Sequence, residues 1–135
     1  MEDLYINHLA VVVAALSDFL VGALWYSPLL FYKGWMQANQ FTEAELKKGN
    51  NVLIFGLTFL FSLIISYNLA FFLGDAQTDA WWGLAAGVLA GLGWAAMGFC
   101  IIGLFERRSA RYLLINSGYL VVAFALKGFI LGIWR

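Results

Sequence analysis

Residues 81–111 read WWGLAAGVLAGLGWAAMGFCIIGLFERRSAR. From Trp81 to Phe105 there is no charged side chain, and the run stops at Glu106, Arg107 and Arg108. Roughly 20 mainly apolar residues carry an α-helix across a bilayer core, where hydrocarbon offers no hydrogen bonds and the backbone must satisfy itself. The stretch therefore predicts a transmembrane helix over about 81–104, closed by a basic loop. Three further stretches meet the same test, at about 5–27, 52–73 and 112–134. The expected fold class is all-α: a polytopic membrane protein with four transmembrane helices, forming one domain over residues 1–135.

Composition points the same way. Of 135 residues, 63% are hydrophobic and 12% charged, and the mean hydropathy is +0.82, which leaves almost nothing for a soluble domain. Eight basic and eight acidic residues give no net charge, so no nucleic-acid partner is expected. Cys100 is the single cysteine and lies in an apolar run, which excludes an intramolecular disulfide and a cysteine metal cluster and reads as a buried, inert thiol. A secretory signal carries positive charge ahead of its apolar core, whereas this chain starts with Glu2 and Asp3; the first apolar run is expected to be a retained span.

The connections differ in length and charge. Ser27-Pro28 ends the first span, because proline disfavours helical geometry in the residue before it and itself suits the first turn of a new helix. The segment that follows, from Leu29 to Met36, mixes aromatic, apolar and basic residues and is expected to lie along the membrane as an interfacial amphipathic segment. Thr42 and Glu45 fit a capping box, so a short helix carrying Lys47 and Lys48 is expected before Gly49-Asn50-Asn51 leads into the second span. Lys33, Lys47 and Lys48 lie in the first connection and Arg107, Arg108 and Arg111 in the third, while the amino terminus and the acidic second connection have no lysine or arginine. The positive-inside rule then predicts a multi-pass protein with both basic loops in the cytoplasm and both termini extracytoplasmic, Arg135 being a minor exception. So strong a bias also argues against insertion in both orientations.

Four polar residues inside the spans form the candidate intramembrane site: Asn7, Asp18, Asn116 and Lys127. Asn7, Asp18, Gly22 and Trp25 fall close to one face of the first span, and Asn116 and Lys127 share the same eleven-residue spacing on the fourth. Counted from the expected helix ends, Asp18 lies about 18 Å and Lys127 about 10 Å below the outer boundary, so a lysine stem bridges part of the difference and a contact is possible but not required. A mid-membrane aspartate costs ~2.5–3.5 kcal/mol on insertion scales and must face protein or water. Two readings stand: a structural one, in which the two form a buried pair or Lys127 snorkels outward, and a functional one, in which Asp18 marks a proton or substrate pathway. His8, near the outer boundary with no second histidine, suits an interfacial hydrogen bond better than a metal. No cofactor, haem or zinc site is expected.

Gly83, Gly87 and Gly91 recur at four-residue intervals in the third span, with Gly98 seven residues further on, and Gly128 and Gly132 lie in the fourth. Such small residues let helices approach closely, within one chain or between copies. The apolar setting and the missing GK[ST] signature exclude a phosphate loop. Trp25, Tyr26, Tyr32, Trp35, Trp81, Trp82, Tyr112 and Trp134 cluster at expected span ends, as membrane-interface anchors do. No nucleophile–base–orienter trio, paired acidic motif or nucleotide fingerprint stands out, so no enzymatic activity is expected.

The segment from Leu24 to Met36, LWYSPLLFYKGWM, resembles the hallmark of the uncharacterised bacterial membrane family numbered 1761 among the domains of unknown function. Asn7 and Leu114-Ile115-Asn116-Ser117-Gly118-Tyr119 are similar to that pattern as well. The resemblance implies four helices in a bacterial cytoplasmic (inner) membrane and no particular activity, ligand or catalytic residue. The leading functional expectation is a structural or interaction protein, partnered by membrane lipids and by further copies of itself in a homo-oligomer. The alternative is a small proton- or cation-linked transporter or channel using Asp18.

Overall fold

The computed structural model describes residues 4–135; Glu2 and Asp3 lie outside them. Among the described residues there is no strand, and the helices run in the order α1 (His8–Trp25), α2 (Tyr32–Asn39), α3 (Glu43–Lys47), α4 (Asn51–Phe72), α5 (Ala80–Ala90), a π-helical turn (Gly91–Ala96), α6 (Met97–Phe105) and α7 (Ala110–Ile133). The π turn joins α5 and α6 into one third span, Ala80–Phe105, so four helices are long and apolar enough to cross a membrane.

Each span begins where a side chain can satisfy backbone N–H groups that have no partner one turn earlier. Asn7 accepts from the backbone of Leu9 and Ala10, Asn50 from Leu53, Asp79 from Trp82 and Ser109 from Tyr112. The chain turns at Ser27-Pro28 as expected, with the Leu30 N–H on the Ser27 carbonyl at 3.0 Å and the Phe31 N–H on the Trp25 carbonyl at 3.1 Å, and α2 starts at Tyr32. The capping box at α3 forms in altered shape: Glu45 N–H donates to Thr42 Oγ1, while the Glu45 carboxylate accepts from the Thr42 hydroxyl rather than from its backbone.

Helix α7 is the hub, packed against α1, the third span, α2 and part of α4, and α4 leans mainly on α1. Hydrogen bonds gather the connections at two ends. At one, the Tyr5 N–H donates to the Gly74 carbonyl, and the Arg135 guanidinium donates to the carbonyls of Leu73 and Asp75. Residues near both termini thus share an end with the acidic second connection. At the other end Arg111 of α7 donates to Gln37 of α2 at 2.9 Å, bringing the two basic connections together.

The glycine lines are used inside the chain. A Cβ added at Gly83 would run into the Gly128 carbonyl, one at Gly87 into the Phe124 carbonyl, and one at Gly132 into the Asp79 carbonyl. Backbone therefore touches backbone along the seam between α5 and α7, which is how van der Waals packing holds helices where the hydrophobic effect has no purchase. The expected line does not extend to Gly98, where an added Cβ would meet nothing. Buried Ala96 and Gly103 follow Gly91 instead. The wider π turn takes up one more residue than an α turn, so the inward position after Gly91 moves from the four-residue to the five-residue step. Sequence spacing alone assumes a continuous α-helix and misses this shift.

Candidate functional site

The α1 face turned to the bundle carries Ala10, Val11, Ala14 and Ala15, none of them exposed. Small side chains let α1 lie close to its neighbours, and one and two turns further on come Asp18 and Val21, also buried. From α7, Lys127 reaches the Asp18 carboxylate and forms an ion pair with its Oδ1. The lysine is 1% exposed and the aspartate 8%.

Two local facts close the depth difference. Helix α1 starts at His8 behind its Asn7 cap, not at residue 5, so Asp18 is about 15 Å along it, while Lys127 is about 9 Å from the end of α7. The remaining ~6 Å is the reach of a lysine stem. In addition, every Cα–Cβ bond tilts toward the N-terminus of its own helix. In this antiparallel pair the Asp18 and Lys127 side chains therefore lean toward each other, and snorkelling away from the bundle is not the arrangement adopted.

The surrounding polar groups are satisfied without help from the pair. Ser17 donates to the Ala14 carbonyl at 2.6 Å, Ser62 crosses from α4 to the Ala15 carbonyl at 2.9 Å, and Ser66 donates to the Ser62 carbonyl at 2.8 Å. Tyr119 brings its hydroxyl to 3.5 Å from the Asp18 backbone carbonyl, and its ring lies beside Gly22. The Lys127 ammonium also lies 5.8 Å from the centre of the Phe124 ring, within cation–π range. No buried side-chain nitrogen or oxygen among the described residues lacks a partner.

Of the four residues singled out from sequence, only Asp18 and Lys127 meet. Asn7 is the α1 cap at the terminal end. Asn116 belongs to a separate cluster at the basic end, where it accepts from the Tyr26 hydroxyl at 2.6 Å and donates to the Tyr112 carbonyl at 3.1 Å. Trp25 completes that cluster by donating to the Ile115 carbonyl at 2.8 Å, so Trp25 and Tyr26 tie α1 to α7 as well as sitting at a span end. His8 hydrogen-bonds the Tyr67 hydroxyl at 2.9 Å, and no group of three metal-binding side chains converges among the described residues. Sequence reading named Tyr119 only within the family pattern and passed over Ser62 and Ser66, placing none of the three at the site. Their signal was positional: Tyr119 stands two turns from Lys127 on the bundle side of the same helix, and the two serines are one turn apart.

The profile of the family described as a protein of unknown function (DUF1761) matches residues 9–132. The chain belongs to that family. The match includes the LWYSPLLFYKGWM segment and both members of the ion pair. No curated protein and no solved structure matches the chain. Chemically, the site is a closed pair: its ammonium and carboxylate neutralise each other inside the bundle, and proton exchange would require them to separate. The hollow bounded by Tyr5, Asn7, Leu73, Leu131 and Arg135 at the terminal end has a volume of about 10 Å³ and is lined by neither partner.

Proposed function

We propose that this protein is a membrane-embedded structural or interaction protein without enzymatic activity, and that it works as a homo-oligomer. The observation that carries the reading is the use made of the intramembrane charges: Asp18 and Lys127 neutralise each other and tie α1 to α7. Support for assembly comes from glycines that do nothing within the chain. Gly56 and Gly93 are exposed, and an added Cβ at either would meet no neighbour. A glycine inside a helix costs roughly 1 kcal/mol relative to alanine, and its advantage in a membrane is close approach of another helix. The basic residues of the first and third connections support an orientation with both termini extracytoplasmic.

Native mass spectrometry of the full chain in nanodiscs tests the reading. The wild type is expected as an oligomer, and Gly56→Leu with Gly93→Leu should shift it toward monomer while the helical circular-dichroism spectrum is retained. A wild-type monomer across several lipid compositions would refute assembly. Vesicle-reconstituted chain that moves protons or cations, with loss of that flux in Asp18→Asn, would favour the transporter reading instead.

A further inference from the structure

We propose that the cleft between the start of α2 and the start of α7 is a binding site for one anionic phospholipid, a property independent of the oligomeric role. The cleft has a volume of about 350 Å³ and is lined by Lys33, Gly34 and Arg111 together with Leu30, Phe31 and Leu114. Its chemistry is divided as a phospholipid is divided. Lys33 and Arg111 are exposed cations, and among the described residues neither has a carboxylate partner, since the ion pairs formed are Arg108 with Glu106 and Lys127 with Asp18. Leu30 and Leu114 are 48% and 72% exposed and supply the apolar wall.

The arginine is held in place before any ligand arrives. Its guanidinium donates to Gln37 at 2.9 Å and lies over Gly34, where an added Cβ would stand 2.9 Å from Nε and 3.0 Å from Nη2. Glycine at that position of the LWYSPLLFYKGWM segment thus provides the bed for the guanidinium. One N–H is spent on Gln37 and the rest of the five-donor fork remains for the oxygens of a phosphodiester, which arginine binds in a bidentate manner. Two cations with no acidic neighbour in the cleft repel the ammonium of a zwitterionic headgroup and select a net negative one. Basic pockets among transmembrane helices on the side with the positive loops recognise anionic headgroups in this way.

The test uses the full chain in nanodiscs of phosphatidylcholine titrated with phosphatidylglycerol, with retained lipid read by native mass spectrometry. The wild type is expected to hold one phosphatidylglycerol in preference to phosphatidylcholine. Lys33→Gln with Arg111→Gln should weaken that preference about fivefold per charge removed, from the ~1 kcal/mol that each basic residue contributes near an anionic surface. Lys47→Gln with Lys48→Gln removes the same charge outside the cleft and should change it less than twofold. Gly34→Ala keeps every charge, displaces the guanidinium and should also reduce retention; it decides the matter if the Arg111 variant does not fold. Equal losses in the two double variants would reduce the effect to general surface charge and overturn the site, as would the absence of lipid preference in the wild type. Displacement of the lipid by glycerol 1-phosphate at matching concentration would overturn it too, because the apolar wall would then contribute nothing.

Discussion

Replacing Asp18 by asparagine removes the charge that answers Lys127 while changing the side-chain volume little. The ammonium would remain at a position that is 1% exposed in the wild type, with Phe124 as its other favourable contact. Removing one partner of a buried ion pair costs about 3–5 kcal/mol, because the other charge stays desolvated and unanswered. Asp18→Asn is therefore expected to lower the folding equilibrium constant by roughly two to three and a half powers of ten. Lys127→Met alone should be destabilising for the same reason. The double variant Asp18→Asn with Lys127→Met buries no charge and should recover at least half of the loss, leaving a coupling energy of about 2 kcal/mol or more in the double-mutant cycle. Reversible unfolding in bicelles, followed by steric trapping or by circular dichroism in increasing dodecyl sulfate, measures all four proteins. If Asp18→Asn lies within about 0.5 kcal/mol of wild type, or the two changes are additive, the pair does not hold α1 against α7 and the structural account of it is wrong.

Two further predictions concern the glycines and the orientation. Gly83→Ala and Gly128→Ala each drive a methyl into a backbone carbonyl of the facing helix and should cost about 1–3 kcal/mol or more by overpacking, whereas Gly56→Ala, with open space around it within the chain, should leave the unfolding of the dissociated monomer unchanged or stabilise it by up to about 1 kcal/mol, any cost falling on assembly instead; the same unfolding assay under monomeric conditions reads the contrast, and equal effects at the three positions would contradict the seam. In a Cys100→Ala background, single cysteines placed near Tyr5 and at Arg135 should react with an impermeant maleimide added to intact cells, and one at Ser109 should not. Labelling at Ser109 from outside would reverse the assigned orientation.

The helices were legible in the sequence because the bilayer imposes a local and additive requirement. Any run such as Trp81–Phe105 must satisfy its own backbone and present apolar side chains, whatever surrounds it. The start of α3 was readable for a similar reason, since Thr42 acts on an N–H group three residues away; the caps at Asn7, Asn50, Asp79 and Ser109 act as locally, but the sequence reading did not use them. Charge in the loops carries the expected orientation, again residue by residue. Tertiary structure decided what depends on two helices at once. Asp18 meets Lys127 because the Asn7 cap sets the depth of α1 and because antiparallel helices tilt their side chains toward each other. The choice between packing within the chain and packing between copies was settled for Gly83, Gly87, Gly128 and Gly132 by the seam between α5 and α7. Ala96 rather than Gly98 continues the buried line after Gly91 because one π turn rotated the rest of the third span. Each of these rests on the relative depth and rotation of two helices, and a linear pattern, which describes one helix face at a time, contains neither quantity.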